Sequence, residues 1–183
     1  VEGKMKFVWF SQNINRGRGL EEFLEAAESY KDRIEVVLIG NMYQSFYDEH
    51  IHHLTYVKHI KPLAQVQLHR FLSEMDVGLA IEIPTDENRE IALTNKIWAY
   101  LQAGVFVMAT STQAQKKLLN ETGPEFGTIT NFSSNDMAES IDSILHQKDT
   151  IRSNKTKRYN AMKENAFENE SQKLLQHWNY LKK

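Results

Sequence analysis

The stretch Phe7-Val-Trp-Phe-Ser-Gln-Asn-Ile-Asn-Arg-Gly-Arg-Gly-Leu20 decides how the chain folds. Phe7–Phe10 is a short, wholly apolar run, as expected of a strand covered on both faces. A helical pattern begins at Leu20, with Leu20, Phe23, Leu24 and Ala27 on one face. Ser11–Gly19 therefore joins a strand to a helix N-terminus, where unpaired backbone N–H groups and the positive end of the dipole face outward. Gly17 and Gly19 let a ligand approach the backbone closely, and Arg16 and Arg18 add fixed positive charge. The combination suits a diphosphate. Glycine-rich turns with an arginine also occur as plain structural turns, so the loop needs support from elsewhere in the chain.

The same alternation recurs downstream. Val36–Ile39, Thr55–Val57, Val77–Ile81, Val105–Ala109 and Gly127–Thr130 read as further strands. Between them stand helical patterns at Leu20–Lys31, Gln65–Met75 (Val66, Leu68, Leu72 and Met75 apolar), Glu90–Ala103 and Gln113–Leu119. Asp136–His146 follows, with Ser133 or Ser134 as its cap. Repeated βα units imply an α/β fold with a doubly wound parallel sheet, in which ligands sit at the carboxyl ends of the strands. The opening loop falls at that end. From about residue 150 the chain turns polar and lysine-rich, and Ile151–Phe167 and Glu168–Lys183 read as closing helices packed over the sheet. Their apolar stripe is Phe167, Leu174, Leu175, Trp178 and Leu181.

With 183 residues and 41% apolar content, the chain suits one well-buried core. A formal charge of −2 argues against nonspecific nucleic-acid binding. The absence of cysteine excludes disulfides and thiolate chemistry and fits a reducing cytoplasm. No apolar run approaches the roughly 18 residues of a membrane span, and no signal-peptide pattern opens the chain; peripheral membrane contact stays compatible. The start so close to a core strand suggests a cut between domains.

A second segment points to the same end of the sheet. Thr94-Asn-Lys-Ile-Trp-Ala-Tyr-Leu-Gln-Ala-Gly104 reads as a helix with Gly104 at its C′ position, and Asn95 and Lys96 lie near its start. A lysine there stands at the same sheet edge as Arg18. Between them, Glu82-Ile-Pro-Thr-Asp-Glu-Asn-Arg89 forms a polar loop long enough to close over a ligand.

The ordered blocks Arg18-Gly19, Ile39-Gly40, Asp76-Val-Gly-Leu-Ala80 and Thr94-Asn-Lys to Ala-Gly-Val-Phe-Val107 resemble glycosyltransferases of the GT-B fold. The match is to their C-terminal, donor-binding, Rossmann-like half, in the retaining nucleotide-sugar-dependent group, and covers nearly the whole chain. The resemblance implies one domain over residues 1–183, with an N-terminal acceptor domain lying outside it. It implies transfer of a hexosyl group from a UDP or GDP sugar to a sugar, lipid or protein acceptor, without a metal or other cofactor. Arg18 would contact the donor diphosphate, Gln12 would share that role, and Asn95 and Lys96 would contact diphosphate or ribose. Lys58, His59, Ile60 and Pro62, in the loop after the third strand, would meet the nucleobase. Ala99 stands where many members carry a carboxylate for the ribose hydroxyls, and Glu87, Asn88 or Glu90 would stand for the family glutamate near the sugar. By itself such a half is expected to bind donor weakly and transfer little. A nucleotide-sugar epimerase of the same fold and a non-catalytic Rossmann-like interaction module are the rivals, the latter favoured by Ala99.

Other features have plainer readings. Glu49-His-Ile-His-His53 reads as surface histidines rather than a metal cluster, and Asp76 as a cap or turn residue. Trp9 and Trp98 fit the core pattern, and Lys155-Thr-Lys-Arg158 reads as a solvated helix face. No Asp-x-Asp, Walker-type or Gly-x-Ser-x-Gly element occurs.

Overall fold

A computed structural model describes residues 3–83 and 90–163, together with Leu175 and Trp178. The strands are β1 (Met5–Ile14), β2 (Ile34–Met42), β3 (Val57–Ile60), β4 (Val77–Ala80), β5 (Phe106–Thr110) and β6 (Gly127–Thr130). The helices between and after them are α1 (Leu20–Glu28), α2 (Gln44–Phe46), α3 (Gln65–Leu72), α4 (Asn95–Gln102) and α5 (Gln113–Thr122). The last three are α6 (Ser134–His146), α7 (Lys148–Ser153) and α8 (Lys155–Lys163); α2 runs on as a π-helical turn, Tyr47–Ile51. All pairings are parallel, and the six-stranded sheet has the order β3-β2-β1-β4-β5-β6.

Side-chain alternation along the strands builds a core on each face. Phe7, Trp9, Val36, Leu38, Val77, Leu79 and Met108 meet α1 and α6 on one side. Val8, Val37, Ile39, Ala80, Val107 and Ala109 meet α3, α4 and α5 on the other. The expected Rossmann-like α/β sheet is therefore present. Among the described residues no helix is long and apolar enough to cross a membrane.

Several boundaries differ from those read in the sequence. β1 runs to Ile14, because Asn13 and Ile14 pair with Asn41 and Met42 after a register shift. β3 is Val57–Ile60 rather than Thr55–Val57, because Val57 and Ile60 align with Val36 and Ile39 of β2. Val66 is 83% exposed although the periodicity placed it on a buried face; only Leu72 of α3 is fully covered. Helix α4 begins at Asn95, so Ile91 lies before it and is 63% exposed. The cap of α6 is Ser133, whose Oγ accepts from the Asp136 N–H, while Ser134 donates to Glu25.

The closing segment departs from three readings. Asp76 is neither cap nor plain turn: it accepts both Nε and Nη2 of Arg152, at 3.0 and 2.8 Å, and the Lys6 N–H at 2.9 Å. That fork ties α7 to the amino edge of the sheet. Arg158 is 1% exposed, not solvated. Its guanidinium donates to the carbonyls of Gly104, Ile151 and Glu125 and lies 5.8 Å from the centre of the Phe106 ring. Burial pulls its pKa down to about 10, so it stays charged at neutral pH. Leu175 and Trp178, two members of the stripe expected to pack on the sheet, are 61% and 60% exposed. Phe167, Leu174 and Leu181 lie outside the described residues.

Candidate functional site

The sheet order reverses between β1 and β4, so the chain leaves those two neighbours in opposite directions and opens a crevice at their carboxyl ends. The Asn15–Gly19 loop stands on one side of it, and Ile81, Glu82 and the start of α4 stand on the other.

Gly19 caps α1 with φ of 78°. A β-carbon there would lie 2.5 Å from Cγ2 of Ile81 and 2.8 Å from Cε2 of Phe132, so no larger residue brings the loop this close to the strand ends. Gly19→Ala combines a left-handed alanine with overpacking and is expected to cost about 3 kcal/mol. Urea unfolding monitored by circular dichroism would measure the loss. Within the loop the two arginines differ. Arg16 pairs with Glu49 of the π-helical turn. Arg18 is exposed and, among the described residues, makes no ion pair; its Nε reaches only Asn15 Oδ1, at 3.4 Å. The Gly17 N–H donates to Glu21 Oε1 at 2.8 Å. Gln12 is exposed on β1 itself, and its carbonyl accepts from Asn41 Nδ2.

Opposite, α4 is held by Tyr100. This fully buried phenol donates to the Val8 carbonyl at 3.2 Å and reaches the Leu79 carbonyl at 3.4 Å, bridging the strands that flank the crevice. Burial pushes its pKa well above the usual phenol value. Gly78 leaves room for the ring, since a β-carbon there would stand 2.3 Å from Tyr100 Cγ. One turn upstream of Tyr100, Lys96 Nζ lies 2.8 Å from Glu82 Oε1 and 5.8 Å from the centre of the Trp9 ring. Asn95 is exposed at the first position of α4, and Ala99 is half-buried against the α3–α5 core layer.

Neither α1 nor α4 has a side-chain hydrogen bond at its N-cap. Among the described residues, the buried side-chain polar atoms without a hydrogen-bond partner are Trp9 Nε1, Glu21 Oε2, Thr94 Oγ1 and Gln115 Oε1. Glu21, Thr94 and Gln115 sit at the starts of α1, α4 and α5, the helices that follow β1, β4 and β5; the Trp9 ring lies against Lys96. Unpaired buried polar atoms are costly, and this chain gathers them at the carboxyl end of its sheet. Sequence reading named Glu82 only as the start of a polar loop and Trp9 only as a core residue, because no local spacing brings β4, α4 and Trp9 together.

The residues expected at the nucleobase are differently placed. Lys58, His59 and Ile60 lie on β3 itself rather than in the loop after it, with β2 between them and β1. Lys58 is taken by Glu35, 2.6 Å away, and His59 Nε2 lies 2.8 Å from the Gly40 carbonyl. Pro62 is exposed in the following loop. Glu87 and Asn88 lie outside the described residues; Glu90 accepts the Gln113 N–H at the start of α5. Among the described residues no group of three or more His, Asp or Glu side chains is placed to hold a metal ion, and Glu49 pairs instead with Arg16, with His50 Nε2 3.7 Å away.

A family model described as "Glycosyl transferase-like" matches residues 16–176. No curated protein sequence matches. Among solved structures, HepE from Anabaena in complex with UDP is similar with a TM-score of 0.73 at 14% identity, over 97% of this chain and 49% of that one. WaaG, a glycosyltransferase involved in lipopolysaccharide biosynthesis, gives 0.65 at 13% identity, over 91% and 44%. The C-terminal domain of LpcC, a Glycosyl Transferase Group 1 family protein from Francisella tularensis, gives 0.63 at 15%, over 87% and 84%. The shared feature is the fold, that of the C-terminal half of a GT-B glycosyltransferase. The chain spans less than half the length of HepE and of WaaG.

Proposed function

Since the chain belongs to the glycosyl transferase-like family, we propose that it binds the nucleoside diphosphate sugar from which a glycosyltransferase passes a hexosyl group to its acceptor. The observation that carries this reading is that Arg18, from the loop after β1, and Lys96, from the first turn of α4, both stand at the β1/β4 crevice, beside two helix N-termini without side-chain caps. Anomeric C–O cleavage leaves the shared electron pair on the diphosphate. Arg18, Lys96 and the first-turn N–H groups of α1 and α4 oppose that growing negative charge. These cations and dipoles do the work that a divalent metal does elsewhere, and the chain carries no Asp-x-Asp pair for one.

UDP is the favoured nucleotide, since Anabaena HepE, of like fold, has been solved with UDP, with UDP and glucose, and with UDP-glucose. The acceptor is assigned to the other half of a larger enzyme, which agrees with this chain's length relative to WaaG and HepE. Titration calorimetry with UDP and GDP tests the reading. Saturable binding of UDP, unchanged by EDTA, is expected. No saturable binding of either nucleotide at millimolar concentration would sink the donor-site reading and favour an interaction module, the reading that Ala99 supports by removing a ribose acceptor.

A further inference from the structure

A lysine ammonium rides on a flexible four-carbon stem, so it occupies one place only when partners hold it there. Lys96 has two. Glu82 Oε1 lies 2.8 Å from Nζ, with both side chains only 16% exposed, and the Trp9 ring lies against the same ammonium. The carboxylate is itself on a fixed mount. Its own backbone N–H donates to Thr110 Oγ1 at 2.8 Å, and the Thr110 hydroxyl donates back to the Glu82 carbonyl at 2.8 Å. Gln115 Nε2 then donates to Thr110 Oγ1 at 3.3 Å. Thr110 is 0% exposed and Gln115 1%, so a buried polar relay runs from α5 through β5 and the end of β4 to α4. This relay accounts for two buried polar residues that the packing alone leaves unexplained.

We propose that Glu82 is a positioning residue: it fixes the Lys96 ammonium at the crevice so that a diphosphate meets a cation already in place, an assignment that rests on the donor-site reading. An ammonium has three donors. Glu82 uses one, leaving two for phosphate oxygens, and the cost of ordering the side chain is met before the ligand arrives.

The full chain, titrated with UDP as wild type, Glu82→Gln, Glu82→Asp, Lys96→Ala and the Glu82→Gln/Lys96→Ala pair, provides the test. Glu82→Gln is expected to weaken UDP binding by roughly fivefold to tenfold, with Glu82→Asp recovering part of the loss. The double variant should bind no more weakly than Lys96→Ala alone, because Glu82 acts only through the ammonium. Binding by Glu82→Gln at wild-type strength or tighter, or losses that multiply in the double variant, would overturn the assignment. A second readout needs no nucleotide: reductive methylation followed by peptide mass spectrometry. Lys96 should react several-fold faster in Glu82→Gln while other lysines keep their rates; an unchanged Lys96 rate overturns the positioning role. If the wild type binds neither UDP nor GDP, the donor-site reading itself fails. Normal wild-type binding with an indifferent Glu82→Gln removes only Glu82.

Discussion

Arg158→Ala should lower the thermal midpoint by about 8–16 °C, through a loss of about 4 kcal/mol of stability. The guanidinium satisfies the carbonyls of Gly104 and Ile151 where water does not reach, and that of Glu125 at the part-buried edge of the site. Truncation strands those acceptors, each worth about 1–3 kcal/mol when buried and unpaired, and leaves a cavity against Phe106. Relief from burying the cation returns part of this cost, which keeps the net figure below the simple sum. Arg158→Lys retains the charge and loses the fork, so an intermediate shift is expected. Differential scanning calorimetry gives the midpoint. Urea titration should show a lower midpoint with an unchanged slope, since the same surface is exposed on unfolding. A shift below 2 °C for the alanine variant would mean that α8 contributes little to the fold.

Lys96→Ala should weaken UDP binding by roughly tenfold to a hundredfold, the range of one charge-assisted hydrogen bond to phosphate. Arg18→Ala should cost less, about threefold to tenfold, because an exposed side chain gives back ordering entropy and meets a screened charge. Salt separates the two. Lys96 is partly buried between Glu82 and Trp9, whereas Arg18 stands in solvent, so raising ionic strength should erode the Arg18 contribution and spare most of that from Lys96. Calorimetric titrations of both variants at low and high salt would measure this. Equal affinity of Lys96→Ala and wild type would remove the lysine from the site.

The loop and α4 were legible because their signals are local. Glycine before a helical run, a cation beside it, and Gly104 closing the later helix are each readable within a few residues, and Gly104 does hold φ of 69°. What misled was a contact between distant segments. Lys58 read as part of the loop after the third strand, yet the parallel register of β3 on β2 makes it a strand residue and brings it to Glu35. Val66 fitted a buried stripe, yet α3 presents only one face to the sheet and Val66 lies off it. Arg158 sat in a run of lysines whose polarity suggested water, and only the packing of α8 against α4 and β5 shows three carbonyls converging on it.

The chain's own periodicities determined a parallel α/β sheet and placed the Arg18 loop and the Lys96 helix at its carboxyl end, because strand and helix periods are set by backbone geometry within each segment. Tertiary structure alone decided which cations remain available there. Arg16 goes to Glu49 and Lys58 to Glu35, Arg18 is left with one long hydrogen bond among the described residues, and Lys96 is held at the crevice by Glu82 with donors to spare. Ion pairing depends on a few ångströms of separation between residues far apart in sequence, and only the folded sheet sets that separation.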